Sequence, residues 1–233
     1  SLLVATSNDN PTSWYLFQSV SLSNSIICNN MKKLFKFTMV MLLALSLAGC
    51  GGKSNDEQDK KTASKDLLSG NYRIEIDVKD YGVIKVELQA DEAPITVTNF
   101  VKLVKEGFYD GLTFHRIIDG FMIQGGDPKG NGTGGSDETI KGEFSSNGVE
   151  NPLKHTRGAI SMARSSDPDS ASSQFFIMHQ TTTSLDGDYA VFGYVYEGIE
   201  VVDKIATTVP VTDNNGTVEA SNQPVITSIK MLK

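Results

Sequence analysis

Regular alternation of apolar and polar side chains is the feature of this sequence that most restricts its fold. From about residue 70, apolar residues occupy every second position of one run, and the same pattern returns after a short turn at residues 79–82. A period of two residues is typical of a strand with one buried face, and two such runs joined by a tight turn predict a β-hairpin. The apolar positions are Tyr72, Ile74, Ile76 and Val78 in the first run and Ile84, Val86 and Leu88 in the second.

The remainder of the chain predicts further short strands and two helices. A helix begins near Pro94, where apolar residues recur at helical spacing as far as Gly107. Many short strands with two helices indicate a mainly β fold, either a closed antiparallel barrel or a sandwich. The predicted strands cover 113–117, 121–125, 159–163, 174–179, 190–195 and 225–231, and the second helix covers 199–206.

The composition excludes several classes of function. The net charge is −7, and an acidic chain lacks the clustered Lys and Arg that a nucleic-acid backbone requires, so we expect no nucleic-acid partner. The only cysteines, Cys28 and Cys50, lie near the N-terminus, so a domain that follows them contains no internal disulfide. Because His115, His155 and His179 do not show a metal-ligand spacing, we expect no metal site and interpret each as a packed or surface histidine.

Residues 31–49 have the successive parts of a lipoprotein signal peptide. Lysines at positions 32, 33 and 36 precede an apolar run of about 12 residues, which is too short to span a membrane. The run closes with Leu47, Ala48, Gly49 and Cys50, which resembles a bacterial lipobox, in which the signal is cut before Cys50 and the thiol is lipidated. An ordinary secretory signal with an incidental cysteine is the alternative.

The signal peptide divides the rest of the chain into three segments. Residues 1–30 carry no Lys or Arg and precede the better start at Met31, so we interpret them as a non-native upstream extension or a disordered segment. Residues 50–69 are polar and charged and predict a lipidated, flexible tether. The predicted domain covers 70–233. We therefore expect an extracytoplasmic protein that its lipid anchors to the bacterial cell membrane.

Two segments of the predicted domain interrupt their apolar residues with unusual polar ones. Residues 114–127 read FHRIIDGFMIQGGD and residues 173–177 read SQFFI, with SMA at 161–163. With GTGG at 132–135, LDG at 185–187 and VFG at 191–193, these strings resemble the motifs of the cyclophilin family of peptidyl-prolyl cis-trans isomerases. The resemblance covers residues 70–233. It implies a closed eight-stranded antiparallel β-barrel capped by two α-helices, with the active groove on its outer face.

The reaction of that family explains the residue types. An X–Pro bond isomerises unaided in tens of seconds because amide resonance raises a barrier of about 18–20 kcal/mol. No bond is made or broken, so we expect no cofactor; the reaction needs an apolar slot for proline and a donor that favours the twisted amide. The resemblance assigns the donor role to Arg116, which the pattern alone would call a surface arginine. Gln124 would orient Arg116 or bond the substrate.

The resemblance also implies which residues bind the substrate. Phe121, Met122, Phe176 and Leu185 would form the proline pocket, although the pattern alone would place each of them in the core. Further groove positions are Gly132, Ala163, Arg164, Gln174 and Tyr189.

Three positions depart from the family pattern. Ser184 stands where a tryptophan is frequent, which predicts weakened binding of cyclosporin-type cyclic peptides and a smaller effect on catalysis. Arg164 replaces a common asparagine, which leaves one contact to the substrate backbone unassigned. Tyr189 replaces a frequent histidine, but both side chains can donate a hydrogen bond.

The sequence therefore predicts a monomeric isomerase that acts on proline-containing segments of exported polypeptides and assists their folding. The alternative is a non-catalytic module that uses the same groove to bind proline peptides, or a chaperone on the cell surface.

Overall fold

A computed structural model describes residues 67–233 of the chain. The predictions for residues 1–30, for the signal peptide, for lipidation of Cys50 and for most of the tether lie outside the described residues. Within residues 67–233, neither α-helix has the length and the apolar composition needed to cross a membrane.

The predicted hairpin is confirmed. Strands β1 (Asn71–Val78) and β2 (Gly82–Gln89) pair antiparallel, with Ile74 opposite Val86 and Ile76 opposite Ile84. The aliphatic residues at alternate positions, Ile74, Ile76 and Val78 in β1 and Ile84, Val86 and Leu88 in β2, are buried, and the residues between them are partly exposed, as the period of two predicts.

The order of the remaining elements also follows the predicted one. All eight strands join one antiparallel sheet with the order β3-β4-β6-β5-β7-β2-β1-β8. Short 3-10 turns lie at Ser145–Asn147, Thr183–Leu185 and Ala220–Asn222. After the hairpin come α1 (Pro94–Lys105), β3 (Phe114–Ile118), β4 (Met122–Gly125), β5 (Ala159–Met162), β6 (Phe175–Met178), β7 (Val191–Glu197), α2 (Ile199–Thr208) and β8 (Ile226–Met231).

The prediction of a closed barrel is wrong, because the sheet is a curled half-barrel whose edge strands are β3 and β8. Only the ends of these edges meet, through the bridge between Thr113 and Val225. Further along β3, the outer edge of the strand is hydrogen-bonded to the segment that precedes β8. The Ile117 N–H donates to the Gly216 carbonyl, and the Val218 N–H donates to the His115 carbonyl. A strand edge that is already paired with a loop cannot also pair with β8.

The central strands of the sheet are buried on both faces, which the sequence did not indicate. Every residue of β4, β5 and β6 is buried. Side chains alternate across each strand, so Phe175 and Ile177 pack into the main core while Phe176 and Met178 pack in a separate cluster on the opposite face. This outer cluster consists of Phe121, Met122, Ala159, Ala163, Phe176, Met178, Leu185 and Val191.

Candidate active site

The outer cluster brings together the residues that the sequence assigned to a proline pocket. Phe121, Met122, Phe176 and Leu185 all belong to it. Ala163 belongs to the same cluster and the half-buried Tyr189 packs against it, with the Tyr189 ring edge-on to Phe176 at 6.0 Å. The structure thus gathers these six side chains from four separate parts of the chain into one apolar surface.

A row of polar side chains runs beside the outer cluster. The Arg116 guanidinium donates from Nη1 to Gln124 Oε1 at 3.2 Å, and Gln124 Nε2 donates to Gln174 Oε1 at 3.0 Å. The Gln174 amide in turn donates to the Gly134 carbonyl at 2.7 Å. Both glutamines are fully buried, so this row satisfies amides that would otherwise be costly to bury.

Arg116 is held in a fixed orientation. Besides the bond to Gln124, its Nε donates to the Asn215 carbonyl at 2.8 Å, and only 8% of the residue is exposed. Burial lowers the pKa of Arg116, but a guanidinium remains charged at neutral pH. A fixed, largely desolvated cation therefore lies at the edge of an apolar surface.

A β-bulge decides which face of the sheet carries Arg116. Phe114 pairs with Gly125 and Arg116 with Gln124, so β3 contributes the extra residue His115 at this point. Without the bulge, Phe114 and Arg116 would share a face; with it, Phe114 packs in the main core and Arg116 faces the side of the glutamines. Bulges often re-aim a side chain in this way near functional sites.

His155 packs against Phe176 of the outer cluster, a role that the sequence did not indicate. Its ring lies parallel to that of Phe176 with centroids 5.9 Å apart. Nδ1 lies 2.9 Å from Asp186 Oδ1 and Nε2 lies 3.1 Å from Ser161 Oγ. The three residues have the connectivity of a nucleophilic triad, but Ser161 and His155 are fully buried, so no substrate reaches the hydroxyl.

The remaining predicted positions lie around the outer cluster rather than within it. Arg164 stacks between two rings, with its guanidinium carbon 4.7 Å from the centre of Tyr189 and 5.0 Å from that of Phe144. Gly132 lines a cavity that Arg116 also lines, and its N–H donates to Asp127 Oδ2 at 2.6 Å. Ser184 is exposed in the turn that carries Leu185.

His115 is buried without a hydrogen-bond partner for either ring nitrogen. Such unpaired polar atoms cost about 1–3 kcal/mol of stability. Burial lowers the pKa of His115 to about 4, with Arg116 adding a smaller lowering and Asp127 opposing it. The imidazole is therefore neutral at physiological pH.

The low pKa of His115 predicts an acid-sensitive component of stability. Between the folded pKa of about 4 and the ordinary value of 6.5, the unfolded chain binds the proton and the folded chain does not, so stability falls as pH falls through this window. The loss at pH 4 is on the order of 3 kcal/mol. We expect His115→Phe to remove this component, and urea unfolding of both proteins at pH 7 and pH 4 measures it.

The same carboxylates are present in both proteins, so the difference between the two proteins reports on His115 and on its interaction with Asp127. Equal losses of stability in the wild type and in His115→Phe between pH 7 and pH 4 would contradict the prediction. At pH 7 the variant should be at least as stable as the wild type, because phenylalanine leaves no unpaired ring nitrogen.

Among residues 67–233, no group of three or more His, Cys, Asp or Glu side chains is arranged to hold a metal ion.

Comparisons with known proteins agree on one family. The family model for cyclophilin type peptidyl-prolyl cis-trans isomerase/CLD matches residues 73–231. Peptidyl-prolyl cis-trans isomerase B of Bacillus subtilis is 50% identical over 123 residues, which are 53% of this chain and 82% of the relative. A peptidyl-prolyl cis-trans isomerase of Helicobacter pylori is 50% identical over 126 residues, covering 53% of this chain and 74% of the relative.

Solved structures give the same result. A crystal structure of a Cryptosporidium parvum cyclophilin type peptidyl-prolyl cis-trans isomerase aligns with a TM-score of 0.62 and 30% identity, over 70% of this chain and 99% of the other. A crystal structure of the same Cryptosporidium protein in the presence of the dipeptide Ala-Pro aligns with a TM-score of 0.59 and 31% identity, over 69% of this chain and 99% of the other.

Proposed function

This chain belongs to the cyclophilin-type peptidyl-prolyl cis-trans isomerases, and we propose that Arg116 is the donor with which it twists the X–Pro amide. The chain is a peptidyl-prolyl cis-trans isomerase and binds proline-containing polypeptides. The observation that carries the proposal for Arg116 is its fixed, buried guanidinium beside the apolar outer cluster.

Amide resonance sets the chemical task. In the planar amide the nitrogen lone pair is shared with the carbonyl, which gives the C–N bond its partial double-bond character. In the twisted amide the lone pair returns to the prolyl nitrogen and can accept a hydrogen bond. A donor placed at that nitrogen therefore stabilises the twisted state more than the planar one, and only such a difference accelerates the reaction.

Arg116 is suited to this donation because its orientation is set before the substrate arrives. The Asn215 carbonyl and the Gln124 amide each accept one of its N–H groups and so fix the plane of the guanidinium. A preorganised donor needs no reorganisation when the amide twists, and exclusion of water strengthens the interaction. Gln124 acts as a positioning residue, which Gln174 holds in turn.

We assign the proline ring to the apolar surface of the outer cluster. Phe121, Met122, Phe176 and Leu185 offer aromatic and aliphatic contacts without a competing polar group. His155 fixes the Phe176 ring by stacking on it, and Asp186 and Ser161 fix His155. We propose that a monomer is the working unit, since the four residues assigned to the proline ring all lie in one chain.

The isomerase assay tests the activity directly. The purified protein should accelerate the cis-to-trans conversion of an Ala-Pro peptide in a protease-coupled assay. Peptide binding without any acceleration would instead support the non-catalytic module.

We also propose that the clients are exported polypeptides and that Cys50 carries a lipid. The support is the signal-like run that ends in Leu47-Ala48-Gly49-Cys50, followed by a polar segment that can act as a tether. Cys50→Ser should abolish incorporation of labelled fatty acid and release the protein from the membrane fraction. If the segment is instead an ordinary secretory signal with an incidental cysteine, the wild-type protein should incorporate no labelled fatty acid.

Ser184 predicts weak binding of cyclosporin-type peptides. A tryptophan in this exposed turn, next to Leu185 of the pocket, would add a large apolar contact at the rim. We expect Ser184→Trp to lower the dissociation constant for cyclosporin about 10- to 100-fold, as titration calorimetry can measure. Isomerase activity on a short peptide should change less than about threefold.

The matched control is Thr183→Trp, an equally exposed position in the same turn. Thr183→Trp should leave cyclosporin binding weak, since the resemblance places the tryptophan of the rim at position 184 and not at position 183. The prediction is wrong if Ser184→Trp does not tighten binding, or if both variants tighten it equally.

A further inference from the structure

A cavity of about 610 Å³ is lined by Arg116 and by no residue of the outer cluster. Most of its other lining residues come from the loop from Lys129 to Gly132 and from the segment between Asn215 and Ala220, together with Gln223. Its volume is in the range of ligand sites in proteins and accommodates a short peptide segment. Arg116 lines this cavity and is also the proposed donor, so the two spaces are adjacent.

The wall formed by the glycine-rich loop is hydrogen-bonded to one carboxylate. The Asp127 carboxylate accepts hydrogen bonds from the backbone N–H groups of Lys129, Asn131 and Gly132. Gly132 lies beside His115, since a side chain at that glycine would make an ordinary contact with His115 Nε2 at 3.8 Å. The loop therefore forms a defined side of the cavity.

His115 is the chemical feature of the cavity that the proposed function does not use. It is the extra residue of the β3 bulge, it lines the cavity, and only 5% of it is exposed. Neither ring nitrogen has a hydrogen-bond partner. Buried polar groups in native proteins are nearly always paired, so an unpaired imidazole in the wall of a cavity indicates a partner that enters from outside.

The chemistry of the cavity restricts that partner. A neutral imidazole has one N–H donor and one nitrogen acceptor, so its complement is a group that both accepts and donates, as a peptide unit does. The lining carries charges of both signs, Arg116 and Lys129 against Glu219, and Arg116 already donates hydrogen bonds to Asn215 and Gln124. Val218 and Ala220 add apolar surface. These features fit the backbone of a polypeptide better than an ionic ligand.

We propose that this cavity is a second substrate subsite, which takes the polypeptide segment on one side of the proline and hydrogen-bonds its backbone through His115. The inference rests on the proposed function, because a chain whose proline lies in the outer cluster must pass Arg116 to reach the cavity. Because both ring nitrogens are buried in the free protein, this binding requires the Asn131–Gly132 backbone beside the ring to move. Short proline peptides do not reach His115, and longer ones do.

The test compares peptides of different length on the full chain. One peptide has a single residue on each side of proline, and two others add three residues on either the N-terminal or the C-terminal side. In the wild type, extension on one side should raise kcat/KM about three- to tenfold, the contribution of about one net hydrogen bond. The gain should appear in KM, since the added contact is the same in the planar and twisted states.

Two variants locate the gain in the cavity. His115→Phe keeps the ring shape but removes both nitrogens, and the gain from extension should fall below about twofold. Ala220→Trp places a large side chain at an exposed position of the cavity wall and should also remove the gain. This variant tests the cavity even if His115→Phe does not fold. Val211→Trp, at an exposed position outside the cavity, is the control and should retain the gain.

A spectroscopic measurement separates the subsite from the activity. The ring ¹⁵N signals of His115 should shift on addition of the extended peptide and not of the short one. The proposal is overturned if neither extension improves kcat/KM, or if the gain survives in both His115→Phe and Ala220→Trp. Failure of the wild type to accelerate even the short peptide would contradict the proposed function instead, and calorimetric binding of the same peptides would still decide the subsite.

Discussion

Arg116→Ala will lower kcat/KM for X–Pro isomerisation about 100- to 1,000-fold, the loss typical of removing one preorganised donor from an active site. The reason is that alanine leaves no group able to donate to the prolyl nitrogen in the twisted amide. The fall should appear mainly in kcat, because the apolar outer cluster still binds the proline ring. The protease-coupled assay with a short Ala-Pro peptide measures it.

Arg116→Lys separates charge from geometry. Lysine retains the positive charge but lacks the planar guanidinium, which donates to the Asn215 carbonyl and to Gln124 at the same time. We expect it to recover less than about a tenth of the activity. Arg157→Ala is the matched control, since Arg157 pairs with Asp203 on the surface and should leave kcat unchanged. Wild-type activity in Arg116→Ala would refute the assigned role.

Glu143→Ala will lower the free energy of unfolding by about 3 kcal/mol, because it removes the cap of α1. Ala93, which precedes the helix, makes no side-chain capping bond. Glu143 supplies the cap from a distant loop: its carboxylate accepts from the N–H groups of Ile95 and Thr96 and from the Thr96 hydroxyl. Only 1% of Glu143 is exposed, so water cannot replace these bonds.

Glu143→Gln should show an intermediate loss, since the amide keeps one oxygen acceptor but loses the charge that favours the helix N-terminus. Glu138→Ala serves as the control, because that carboxylate is largely exposed and forms only a surface pair with Lys102. Urea unfolding at pH 7 gives all three values. A loss below about 0.5 kcal/mol for Glu143→Ala would show that the helix does not depend on this cap.

The sequence predicted the fold well where one face of an element meets solvent. The β1–β2 hairpin and both helices could be read because polar residues alternate with apolar ones at the period of each element. The same reasoning could not assign the faces of β4, β5 and β6, where both sides are buried and the alternation disappears. The closed barrel was predicted from the family resemblance, while the apolar pattern left a barrel or a sandwich open, because that pattern carries no information about what pairs with the edge of β3.

The site was predictable only through the family motifs. Phe176 and Phe175 are adjacent and chemically alike, yet one lines the outer cluster and the other the main core. His155 gave no signal at all, because its partner Asp186 is 31 residues away and the contact exists only in three dimensions. A buried polar residue can be recognised from the structure by its hydrogen bonds, whereas the sequence shows only its identity.

By itself, the sequence determined an acidic, strand-rich domain that opens with a hairpin, because side-chain period and charge are local properties. The tertiary structure alone decided that the sheet stays open at β3 and β8, and that Arg116 faces the glutamines rather than the core. Both outcomes depend on strand register, and one extra residue at His115 reverses the face of every side chain beyond it. The same bulge leaves the His115 ring unpaired beside the cavity, where the further subsite is proposed.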